Sequence, residues 1–204
     1  QRQRTYVELA TRMILLLGTV ANIQNTKEVH VELCGKATAG KGDTIAQYAL
    51  VALLQQCCDE PVSIINASAI AGELGVSTTH DVGPTDAIDA ISIRTKGEHE
   101  HTIEGTVHAD GMPRITNIEG RQIDIVPSGH MITLFNNNTP GMVGKVGEAL
   151  GEAKLNIDEM IIGKADEQGM AMMIIKVSES PSEEILRALG SLDGVSKVAS
   201  VQVT

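Results

Sequence analysis

Aromatic side chains are nearly missing from this sequence. Two Tyr, one Phe and no Trp are spread over 204 residues. Base-stacking platforms for single-stranded nucleic acid are excluded on that count, and any core must be built from Ile, Val, Leu, Ala and Met. Positive charge is short as well. Sixteen Lys and Arg stand against 26 acidic residues, a formal charge of −10. Such a field repels a phosphate backbone, so nucleic acid is not an expected partner. Cysteine is limited to Cys34, Cys57 and Cys58. An odd number, two of them adjacent and none in CxxC spacing, builds no disulfide framework or redox pair and points to a reducing, cytoplasmic setting. The apolar stretch 13–23 is too short to span a bilayer, so no membrane partner is expected.

What is present fits a folded protein: 42% hydrophobic and 21% charged residues, in one large domain or two small ones. The chain opens on Gln-Arg-Gln-Arg without Met, which reads as a fragment or a processed chain. Tyr6, Leu9, Met13, Leu16, Leu17 and Val20 recur at helical spacing. The polar face of that helix is thin, so it is expected to pack on something outside the sequence. A strand follows at Glu28–Leu33, then a Gly-rich turn. Asp43 is the expected N-cap of a helix over 44–58. Residues 62–66 read as a strand and 67–74 as a short helix closed by Gly75. Alternating runs at 87–96, 101–109 and 114–126 read as strands, the last folded into a hairpin at Asn117–Gly120. This is a mixed α/β layer, with its boundary at Pro127-Ser128-Gly129.

From His130 the pattern is a strand at 131–135, a helix at 140–153 with Thr139 as N-cap and Pro140 in its first turn, and strands at 155–163 and 170–177. A helix at 182–189 and a strand at 195–203 complete it. The order βαββαβ is the ferredoxin-like motif. The fold class is therefore α/β (α+β).

The loop Phe135-Asn136-Asn137-Asn138-Thr139-Pro140-Gly141-Met142 carries most of the chemistry. A primary amide both donates and accepts, so clustered Asn suits either end of a zwitterion. The N–H groups of Gly141 and Met142 at the helix start suit a carboxylate. The same triplet also fits a polar turn with ordinary capping. His99 and His101 invite a metal reading, but no third ligand stands near and a solvated turn is preferred; no metal is expected. His80 with Asp81, Asp86 or Asp89 would serve a stand-alone hydrolase or lyase, yet their spacing matches no such motif.

The stretch FNNNTPGMVGKVGEALGEAKLNIDEM, followed by strand, helix and strand, resembles an ACT domain, the small-molecule sensor of amino-acid metabolism. INASAIAGELGV and the strands ending in NIEGRQIDIVPSGH resemble the intervening domain of long D-3-phosphoglycerate dehydrogenases. YVELATRM resembles that family's return segment. The resemblance implies a return helix over 1–24 from a missing substrate domain, an intervening domain over 25–129 and an ACT domain over 130–204. It implies the regulatory portion of an enzyme that oxidises 3-phosphoglycerate with NAD in serine biosynthesis. No GxGxxG stands here, and AGKGDT is neither that fingerprint nor a Walker loop. Cofactor and catalytic residues would therefore lie in the missing catalytic domains, with none in this chain.

In the family, L-serine sits between two ACT domains, so the implied partners are a second copy of the chain and L-serine or another small amino acid. By position the effector residues are Asn136, Asn138 and Asn156, with Gly141 and Met142. Asn136 stands where a ring side chain such as His or Tyr is usual. Other members bind an anion through a basic residue that falls at Arg114. A second basic position falls at Val126, for which Arg94, Lys96 and Arg121 are the candidate substitutes, although alternation equally suits all three to a solvent-facing strand position. The alternatives are the ACT-bearing portion of an L-serine dehydratase, whose iron–sulfur cluster the Cys spacing does not serve, and a stand-alone amino-acid sensor.

Overall fold

The computed structural model describes residues 2–203, with side chains from Arg4 onward. Gln1 and Thr204, the outer ends of the expected return helix and ACT domain, lie outside them. The chain divides into two units. One runs to Gly120 and adds Asp124–Pro127; the other comprises Arg121–Ile123 and the residues from Ser128 on. Among the described residues no helix is long and apolar enough to cross a membrane.

The first unit contains α1 (Arg2–Val20), β1 (Glu28–Cys34), α2 (Gly42–Cys57), α3 (Ala67–Leu74) and β2 (Ser77–Val82). It continues through β3 (Ala90–Lys96), β4 (Glu100–Val107) and β5 (Pro113–Ile118) to β6 (Arg121–Ile125), the strand on which the two units meet in sequence. Its sheet has the order β2-β1-β3-β4-β5-β6. β1 runs parallel to β2 and antiparallel to β3. Val29, Val31 and Leu33 of β1 and Ile91 and Ile93 of β3 are fully buried, while Glu32, between Val31 and Leu33, and Arg94, which follows Ile93, are exposed. That alternation is the period-2 pattern of a sheet covered on one face.

α1 does not wait for an outside partner. Its Leu9, Ala10, Met13, Ile14, Leu16 and Leu17 are all 0% exposed, and it packs on α2, β3, β4 and β5 of its own unit. Each large side chain so buried contributes roughly 1.5–3 kcal/mol. Tyr6, the one fully buried aromatic, takes the Val107 N–H on its hydroxyl at 3.3 Å.

Two local expectations are corrected, and one further strand is found. Residues 62–66 form a turn instead of a strand. The Asn66 carboxamide oxygen accepts the Ser63 N–H at 2.7 Å, and the Ser63 carbonyl accepts the Ala67 N–H. Such local bonds compete with a ladder, and Ile65 is left 91% exposed. Helix α2 starts at Gly42 with Lys41 as N-cap and no side-chain cap; Asp43 stands in its first turn. β2 has no counterpart in the sequence reading. It is a polar strand at the sheet edge, where one neighbour suffices and apolar alternation is not required.

The second unit holds β7 (Gly129–Asn137), α4 (Met142–Glu152), β8 (Ile157–Gly163), β9 (Met170–Val177), α5 (Glu183–Gly190) and β10 (Val195–Val203). The strand order is β10-β7-β9-β8, with β10–β7, β7–β9 and β9–β8 all antiparallel. Met142, Val146 and Leu150 recur at steps of four and so share one face of α4. They close with Leu189 of α5 over Ile132, Leu134, Met173 and Ile175. Both helices thus cover one face, the ferredoxin-like arrangement. α5 is capped by the Ser182 hydroxyl, which accepts the Ile185 N–H, and it carries Glu183 and Glu184 in its first turn, where the helix dipole favours them.

Candidate functional site

The site grows from the end of β7. Even-numbered residues of that strand face the helices, as Ile132 and Leu134 do, so Asn136 falls on the same side. Asn136 is 1% exposed. Its Nδ2 donates to the Asn137 carbonyl at 2.8 Å. Its Oδ1 is buried and has no partner among the described residues. A buried carbonyl left without a donor costs about 1–3 kcal/mol, so this atom asks for an N–H.

The backbone around it is pinned at two points. The Asn137 N–H donates to the Gly194 carbonyl at 2.8 Å, and the Asn138 N–H to the Gly169 carbonyl at 3.0 Å. The side chain of Asn138 is exposed. The chain then turns: the Met142 N–H reaches the Thr139 carbonyl at 3.3 Å, and Gly141, at φ +90°, is the N-cap of α4 without a side-chain cap. Only a residue lacking Cβ adopts that angle freely. The helix therefore begins at Met142, two residues later than Pro140. Lys145 is the first residue whose N–H reaches back, to the Gly141 carbonyl at 3.0 Å. The N–H groups of Val143 and Gly144 belong to the first turn, which has no intrahelical acceptor. With Gly141 they have the chemistry to receive an anion; a helix start at Pro140, as the sequence suggests, does not single them out.

Asn156 lies elsewhere. Its carbonyl accepts the Ser178 N–H at 3.1 Å, at the opening of β8. Asn136 pairs with Ala171 on β9, whereas Ile157 pairs with Val177. Six residues of strand separate those partners, about 20 Å at the usual rise. One protomer cannot bring Asn136 and Asn156 to a single small molecule.

The two candidate anion ligands both face carboxylates. Arg114 on β5 donates from Nη1 to Asp124 Oδ1 at 2.9 Å. Within the second unit, Arg121 donates from Nη2 to Asp166 Oδ2, and its guanidinium lies 5.7 Å from the Phe135 ring centroid. Asp166, in the turn between β8 and β9, was not picked out in the sequence; its only signal there is an Asp three residues before Gly169. Its Oδ1 accepts the Met170 N–H at 2.9 Å and the Gln168 N–H at 3.0 Å. The Met170 N–H holds its carboxyl below the ordinary value; burial works against this, and the Gln168 N–H and the Arg121 charge reinforce it.

The remaining polar candidates disperse. His80 faces Asp43 at 3.6 Å and Asp81 faces His30 at 3.6 Å. Asp89 Oδ1 accepts the Ala37 N–H at 2.9 Å. Asp86 and Asp89 line a cavity of about 750 Å³ with Lys36 and His108, to which His80 does not contribute. His101 Nδ1 lies 3.0 Å from Glu119 Oε2, and His99 stands edge-on to His101. Among the described residues no three His, Cys, Asp or Glu side chains converge as a metal set.

Two family models match the chain. The D-3-phosphoglycerate dehydrogenase intervening domain matches residues 2–119, and the ACT domain matches residues 130–194. Among curated proteins, D-3-phosphoglycerate dehydrogenase of Archaeoglobus fulgidus is 24% identical over 207 residues, covering 97% of this chain and 38% of that protein. The Synechocystis enzyme is 26% identical over 207 residues, covering 100% and 37%. That of Bacillus subtilis is 24% identical over 180 residues, covering 87% and 34%. The chain thus spans little more than a third of the length of these relatives.

Proposed function

Because the chain belongs to the family of the D-3-phosphoglycerate dehydrogenase intervening domain, with an ACT domain behind it, we propose that it is the regulatory portion of such a dehydrogenase. It binds L-serine or a similar small amino acid at a joint between two ACT domains. The reaction under its control is the NAD-linked oxidation of 3-phosphoglycerate to phosphohydroxypyruvate, performed by residues outside these 204.

The observation that carries this reading is the buried, partnerless Oδ1 of Asn136 beside the uncapped start of α4. An α-amino acid supplies both halves. Its ammonium donates to amide oxygens, and its carboxylate accepts the N–H groups after Pro140, helped by the helix dipole. The distance to Asn156 is met by symmetry. β8 is a sheet edge with an unpaired ladder, and Ile157 and Ile162 on it are 39% and 45% exposed. A two-fold contact along that edge sets β8 antiparallel to its copy. Asn156 of the partner subunit then comes toward the end of the sheet that carries Asn136 and Asn138. A ligand held from both sides favours the joined arrangement, and that difference in affinity is what converts binding into control.

Calorimetry with L-serine, glycine and D-serine tests the reading on the wild type, Asn138→Ala and Asn156→Ala. Loss of one buried hydrogen-bond partner costs about 1–3 kcal/mol, so each variant binds about ten- to a hundredfold more weakly. No heat with millimolar L-serine, or unchanged affinity in both variants, reduces these Asn residues to turn formers.

A further inference from the structure

We propose that Asp166, steadied by Arg121, is a positioning residue for the loop of Asn136–Asn138. It shapes the β8–β9 turn so that the Gly169 carbonyl is presented to the Asn138 N–H. The inference rests on the effector reading above only for its consequence in binding; the geometry is independent of any ligand.

The turn is built around one carboxylate. Asp166 Oδ1 gathers the N–H groups of Gln168 and Met170 at 3.0 and 2.9 Å. Its backbone closes the turn from both sides, with Asp166 N–H to Met170 carbonyl and Gly169 N–H to Asp166 carbonyl, each 3.0 Å. Gly169, at φ +81°, then directs its own carbonyl to the Asn138 N–H at 3.0 Å. That bond is one of the two pins on the Asn loop, the other being Asn137 to Gly194. The remaining oxygen of Asp166 is held by Arg121 Nη2, and the same guanidinium lies over Phe135, the residue before Asn136. A charged bond to a carboxylate fixes its rotamer more firmly than a neutral one. Arg121 therefore sets Asp166, Asp166 sets the turn, and the turn sets the backbone of Asn138.

The experiment uses the whole stretch of 204 residues. Hydrogen exchange of the Asn138 amide is followed by NMR in the wild type, Asp166→Ala, Asp166→Asn, Arg121→Ala and Arg121→Lys, with L-serine titrations alongside. Asp166→Ala removes the whole carboxylate, so Asn138 exchanges at least tenfold faster and serine binds about tenfold more weakly. Asp166→Asn keeps an oxygen for the two N–H groups but loses the charge, and it falls between; it also serves if Asp166→Ala does not fold. Arg121→Ala resembles Asp166→Asn, and Arg121→Lys recovers part of the loss by restoring the charge without the planar fork. A lowered melting temperature with unchanged Asn138 exchange in both Asp166 variants overturns the proposal, leaving Asp166 a turn stabiliser. If the wild type gives no heat with serine, the effector reading fails, while Asn138 exchange still decides the positioning role.

Discussion

At the scale of single residues, chemistry that repeats along the chain is visible and chemistry assembled across it is not. Asn136–Asn138 stand out because three amides in succession are unusual before a helix. Asp166 does not, because Asp-Glu-Gln-Gly reads as any polar turn and its partner Arg121 lies 45 residues away. Its lowered carboxyl pKa makes a prediction. A group with a depressed folded-state pKa adds stability that is complete above its ordinary value, 3.8, and is lost as pH falls through the folded value. The gap in melting temperature between wild type and Asp166→Asn is therefore widest at neutral pH and narrows as pH falls below 3.8; a gap that stays constant as the carboxylate is titrated contradicts this linkage. Arg114 makes another. The family resemblance offers it to an anion, yet Asp124 already occupies it at 2.9 Å. An incoming phosphate competes with that carboxylate. Asp124→Asn should raise the thermal stabilisation given by inorganic phosphate, and Arg114→Ala should abolish it. Equal stabilisation of all three proteins removes Arg114 from consideration.

At the scale of elements, legibility followed the need for burial. β9 and β10 have the bounds expected from sequence, Met170–Val177 and Val195–Val203, because β9 is a continuous apolar run buried from Ala171 to Ile175 and β10 carries Val at 195, 198, 201 and 203 between polar or small residues. β2 carries no apolar signal because an edge strand needs none, and 62–66 has a strand-like composition but turns because Ser63 and Asn66 satisfy the backbone locally. α1 is legible as a helix but not as a cover of this sheet, since periodicity shows a buried face without naming what buries it. Leu9 is 0% exposed, and it lies 3.2 Å from where a Cβ on Gly105 would stand. Leu9→Ala should cost about 2–5 kcal/mol in denaturant unfolding, the range for a cavity in a packed core. A loss below about 0.5 kcal/mol, the range of surface substitutions, would place α1 outside the cooperative fold.

At the scale of the whole molecule, the missing Gly-rich fingerprint and the unoccupied sheet edge point in different directions. Without a phosphate-cradling turn after a strand, the chain should give no saturable NADH fluorescence change at micromolar concentration. The edge at β8 leads further. A ligand that touches two protomers cannot change its own affinity without changing theirs, because the coupling free energy is shared. On the proposed reading, free serine at a hundred times its dissociation constant would favour the joined form by about 2.7 kcal/mol per site, close to a hundredfold. Sedimentation velocity should therefore show the dimer constant tightening with L-serine. Ile162→Lys, which puts charge on a β8 residue 45% exposed in the single chain, should leave a folded monomer that binds serine weakly. A charge at the joint would be stripped of water on pairing, whereas on the free edge it stays solvated. A dimer constant indifferent to serine, in a wild type that binds serine by calorimetry, would place the whole site within one protomer and make the distance from Asn136 to Asn156 decisive against a role for Asn156.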